Sequence, residues 1–118
     1  MSENSNDERI QALRDLLELR RPVGEAVSRL RRFPWDSANE LVILTRRSAL
    51  DMVNRYLGDQ LTASEFVEWA NALEGRDDVG FEDLDEDLLR QFLLEFANPE
   101  LFEPISTDLA REWSVRLR

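Results

Sequence analysis

The chain has 118 residues, is 42% hydrophobic and 34% charged, and carries a formal net charge of −10, which suits one domain with one modest core. The acid excess opposes the cationic contacts that nucleic acids and anionic membrane surfaces require, and no apolar run reaches the roughly 20 residues of a bilayer span. Cysteine and histidine are absent and all 15 cations are arginine; this removes disulfides, thiolate and imidazole metal sites, histidine bases, Schiff-base lysines and the lysine of a phosphate-binding loop.

From the N-terminus, MSENSNDERI is polar and acidic, shows no signal or transit peptide, and is expected to be disordered over residues 1–6. Ile10, Leu13, Leu16 and Leu17 then mark a first helix, with Ser5 and Glu8 at capping-box spacing before it. Arg21-Pro22 breaks that run. Val23, Ala26, Val27 and Leu30 line a second amphipathic helix, stopped by Phe33-Pro34. The run Leu41 to Leu44 is β-branched enough for a strand, but no second strand-like run is evident to pair with it; it reads as a buried helical turn or an apolar linker.

The following units carry clearer punctuation. Thr45 is placed to cap a helix lined by Leu50, Val53 and Leu57, and Gly58 to end it in a left-handed conformation. Thr62 and Glu65 form a capping box with Leu61 and Phe66 at staple spacing. The helix they start buries Phe66, Trp69, Ala70 and Leu73 and stops at Gly75. A further helix is predicted from about Leu84 to Ala97, with Leu88, Leu89, Phe92 and Phe96 inward and Asn98-Pro99 as the stop. A last one starts at Ser106 or Thr107 and carries Leu109, Trp113 and Leu117. The expected fold is all-α: a compact single-domain bundle of five to seven short helices over residues 7–118.

Charge is unevenly spread along this domain. Residues 1–47 carry nine arginines and eight acids, whereas residues 48–118 carry six arginines and 17 acids. The domain thus joins an arginine-rich segment, 7–47, to an acidic one, 48–118. In the first, Arg20, Arg21 and the stretch SRLRRFPW (Ser28 to Trp35) either touch an anionic surface or form a solvated helix edge paired with Glu18 and Glu25; the net charge favours the second. In the second, EGRDDVGFEDLDED gathers Glu74, Asp77, Asp78, Glu82, Asp83, Asp85, Glu86 and Asp87 around one cation, Arg76.

A calcium loop does not account for this cluster: with Gly80 at position six, Gly75 falls at position one and Val79 at five, where neither can ligate. Catalysis by paired carboxylates lacks an activated nucleophile, and the four glycines, at 24, 58, 75 and 80, form no phosphate loop. No enzyme activity, cofactor or metal is expected. A helix start explains part of it, since Asp83 with Glu86 fits a capping box and Asp85 and Asp87 suit the first turn. The remaining acids are either a solvated face or a docking surface for a cationic protein. Phe81, among them, is either a core plug or an anchor for that partner.

The segment LTRRSALDMVNRYLGDQLTASEFVEWANALEGRDDVGFE, continuing to FANPELFEPIS, resembles small acidic bacterial proteins that include immunity proteins of contact-dependent growth inhibition and related toxin systems. The words WANALEGRDD and ANPEL carry the likeness, over about residues 44–118. The resemblance implies a cytoplasmic protein that neutralises a cognate toxin, often a nuclease, by binding it tightly; the residues themselves add a non-enzymatic role and a basic partner, without nucleic acid or membrane, and the chain is expected to be a monomer or homodimer. The partner-binding residues expected from the charge pattern are Glu74, Asp77, Asp78, Phe81, Glu82, Asp83, Glu86 and Asp87. The alternative is a helical adaptor that self-associates, its arginine-rich segment meeting the acidic half of another copy.

Overall fold

A computed structural model describes residues 2–118, with side chains from residue 6 onward. Six helices and one small sheet follow in the order α1 (Ser2–Leu17), α2 (Val23–Leu30), β1 (Val42–Leu44), α3 (Arg46–Leu57), α4 (Ala63–Leu73), β2 (Val79–Phe81), α5 (Glu86–Ala97) and α6 (Thr107–Arg116). The fold is predominantly α and forms one compact domain around one core. Of the stretch 1–6, Met1 lies outside the described residues and the backbone from Ser2 belongs to α1. That helix passes through Ser5 instead of starting there, so the Ser5–Glu8 spacing is not a helix start.

The local signals act as their chemistry dictates at most ends. Thr45 accepts from the Ser48 amide, and Thr62 with Glu65 closes a complete capping box. Ser106 accepts from the Leu109 amide to start α6. Each cap satisfies amides that a helix cannot pair internally, at about 1 kcal/mol apiece. Gly75 follows α4 at a φ of 84°, the left-handed conformation that glycine adopts without a Cβ penalty. Two ends differ from expectation. Gly58 has a φ of −91° and the left-handed position falls one residue later, on Asp59. The last long helix starts at Glu86, not Leu84, and Asp83 makes no capping box: the N-cap is Asp85, whose side chain caps nothing.

Leu41 to Leu44 is a correction of substance. Val42–Leu44 is a strand, paired in parallel with Val79–Phe81 in the register Val42↔Val79, Ile43↔Gly80, Leu44↔Phe81. Parallel strands need a long crossover, and here α3 and α4 supply it. The partner strand is embedded in the acidic stretch, so this stretch is not one surface loop but a loop, a strand and a helix start.

The core is centred on aromatic contacts between α4, α5 and α6. Phe66 stacks on Phe96 at 4.3 Å, Phe92 meets Phe96 at 4.8 Å, and Trp113 meets Phe92 edge-on at 5.4 Å. Such pairs add about 0.5–1.5 kcal/mol beyond their buried area. Trp69 and Trp113 are both in this core, as their helical spacing predicts, and the Trp69 indole N–H donates to the Leu16 carbonyl at 2.9 Å. That bond ties α4 to α1 and satisfies the buried indole donor.

Candidate functional site

The acidic stretch divides into parts with different roles. Asp78 is fully buried. Its carboxylate accepts from Arg76 Nε at 2.9 Å and Nη2 at 3.0 Å, and from Arg9 Nε at 2.9 Å. Arg9 also donates to the carbonyls of Pro34 and Asp36, and Arg76 to that of Pro34. The cluster therefore ties α1, the loop after α2 and the entry to β2 together. Removing one partner of such a buried charge group costs about 3–5 kcal/mol, because the other charges stay buried. Asp78 cannot face a partner; its assignment to a docking surface is overturned by its burial and its two arginines.

Glu82 also has a structural role. Its Oε1 accepts from the backbone N–H of Arg46 at 2.9 Å, at the first residue of α3. The first turn of α3 holds no acid of its own, so Glu82 supplies from the neighbouring strand end the negative charge that a helix N-terminus favours. Its own amide donates to Leu44, extending the sheet. Arg46 reaches on to the carbonyls of Arg116 and Arg118 and stands 3.7 Å from Asp85. Phe81 is half-buried against the core, and the Arg90 guanidinium covers its ring at 4.7 Å. It is a plug more than an anchor.

The other acids lie at the two ends of β2. Asp77 is exposed and Glu74 half-buried at its entry; Asp83, Glu86 and Asp87 are exposed at its exit. Five residues, three of them the strand β2, lie between Asp77 and Asp83, a span on the order of 15–20 Å. The eight residues do not form one patch. At the exit, Asp83 and Asp87 make no ion pair or hydrogen bond among the described residues, and Glu86 pairs only with Arg90, at 3.1 Å on an open surface, an arrangement of little net worth.

Between those acids sits a residue that patterning missed. Leu84 is wholly exposed, at 104% relative accessibility, and has a φ of 71°. A left-handed backbone costs a leucine about 1–2 kcal/mol, and exposure forfeits the gain of burial. The sequence reading starts the helix at about Leu84; the bend that starts α5 at Glu86 instead turns this leucine outward.

The arginine-rich segment folds onto its own acids. Asp15, nearly buried, accepts from Gln11 at 2.8 Å and Arg29 at 2.7 Å, with Arg21 at 3.3 Å. Burial raises its pKa, but these donors outweigh burial and hold the carboxyl below its ordinary value. Arg21 also pairs with Glu25 and Arg20 with Glu18, the solvated-edge arrangement. Trp35 is half-exposed, its indole facing the Arg76 guanidinium at 4.8 Å.

Among the described residues, no group of three or more carboxylates is disposed to hold a metal ion, and no helix is long and apolar enough to cross a membrane. What the fold defines is a small helical domain with a two-stranded parallel sheet and an acidic tip at the sheet's exit. Comparison with known proteins finds no matching family model, no matching curated protein and no matching solved structure.

Proposed function

We propose that this chain is a non-enzymatic immunity-type inhibitor acting in the cytoplasm, which captures a basic toxin of nuclease type through the tip formed by Asp83, Leu84, Glu86 and Asp87. The observation that carries this reading is Leu84: an exposed leucine in a left-handed turn beside Asp83 and Asp87, whose carboxylates make no ion pair among the described residues, and Glu86, which pairs only with Arg90 on an open surface. Folding has no use for that side chain, and departures from local consistency of this kind concentrate where function is located. An apolar anchor ringed by charge is the composition of a binding hot spot with a steering rim. The acidic balance of residues 48–118 and the resemblance of 44–118 to immunity proteins support the same reading. Asp77 and Glu74 belong to the outer field of the surface and Asp78 and Glu82 to its scaffold.

The test is protection. Cells producing a toxic domain encoded in a reading frame beside that of this chain should survive when the chain is co-expressed. The triple variant Asp83→Lys, Glu86→Lys, Asp87→Lys should fold with unchanged helicity and fail to protect. Equal protection by that variant would remove the tip from the interface.

A further inference from the structure

A cavity of about 450 Å³ opens between α2 and α4, away from the acidic tip and within the size range of small-ligand pockets. Buried Leu30, Ala72 and Arg76 and exposed Arg31 and Trp35 are among the residues that line it. Two features of Arg76 separate this cavity from an ordinary surface dent. The residue is more than nine-tenths buried, yet while Nε and Nη2 are bonded, Nη1 has no partner among the described residues. The charge around it is also unbalanced: the Arg9 and Arg76 guanidinium groups share one carboxylate, Asp78, with side-chain exposures of 12%, 2% and 0%. Nη1 retains solvent contact, which leaves it open to an anion that enters the cavity.

We propose that this pocket binds a small aromatic monocarboxylate, its ring against Trp35, Leu30 and Ala72 and its carboxylate between Arg31 and Arg76. Arginine suits that head group because its planar fork donates two parallel hydrogen bonds. Glu68 lines the same pocket from α4 and repels a second negative charge, which favours monocarboxylates over dicarboxylates.

The test is a titration of the full chain with 3-phenylpropionate, and with 3-phenylpropan-1-ol as its uncharged counterpart, followed through the Trp35 indole N–H by NMR. The acid should produce a saturable shift and bind about tenfold more tightly than the alcohol, the worth of one charge-assisted contact. Arg31→Gln should weaken the acid several-fold and leave the alcohol unchanged. A pocket-filling Ala72→Leu should abolish binding of both; circular dichroism checks its fold, and Val67→Phe replaces it if it is unfolded. Absence of a saturable shift, equal affinity for acid and alcohol, or binding that survives a folded pocket-filling variant would each overturn the proposal.

Discussion

Asp77 and Asp78 are chain neighbours with opposite fates: one carboxylate is exposed and unpaired by any cation among the described residues, the other has no solvent contact and two arginines. Asp78→Ala should therefore cost about 3–5 kcal/mol in chemical denaturation, and Asp77→Ala no more than about 0.5 kcal/mol. A cost for Asp78→Ala below about 1 kcal/mol would mean that the cluster is not a clamp. Leu84 gives the converse case. Glycine adopts its φ of 71° freely, and no core contact is lost with the side chain, so Leu84→Gly should raise the unfolding free energy by up to about 1 kcal/mol. A loss of stability would show that the leucine packs in solution. A variant that is more stable yet protects less would separate the two demands on this residue.

At the scale of elements, most boundaries were legible because their signals are local. Thr62 and Glu65 act across one turn, and Gly75 needs no partner at all. The β1–β2 pair was not legible: each strand has three residues, too few to show alternation, and VGF is hidden among acids. Asp78 and Glu82 were misread for the same reason. Arg9 and Arg46, which hold them from other elements, are 69 and 36 positions away in the chain, although Arg76, the second partner of Asp78, stands only two positions from it. The join of α1 to α2 makes a prediction of its own. The Asp15 carboxyl is held below its ordinary value of 3.8, so its contribution is present above that pH and is lost as pH falls through the lower value of the folded state. Asp15→Asn should cost about 1.5–3 kcal/mol near neutral pH. The gap between the melting curves of variant and parent should close as pH is lowered below 3.8. A gap that does not change with pH would show that the bonds of Asp15 matter and its charge does not.

Over the whole molecule, the helical class and single core followed from periodicity and capping, whereas the surface did not, because charge patterning counts acids without saying which are already partnered. Of the eight carboxylates between Glu74 and Asp87, Asp78 and Glu82 hold the scaffold together, and the exposed remainder splits between the two ends of a strand. At the exit of β2, Asp83, Glu86 and Asp87 are exposed close in sequence to Leu84. Such a tip accelerates encounter with a basic partner and loses that advantage in salt, since screening acts within about 10 Å at 0.1 M.

The most direct measurement is the association rate of the chain with the basic toxic domain proposed as its partner, by stopped flow over a range of ionic strength. The account predicts a rate that falls steeply with salt, and a slower, nearly salt-independent rate for the Asp83→Lys, Glu86→Lys, Asp87→Lys variant. A salt-independent rate for the parent, or an unchanged rate and salt slope in the variant, would contradict it.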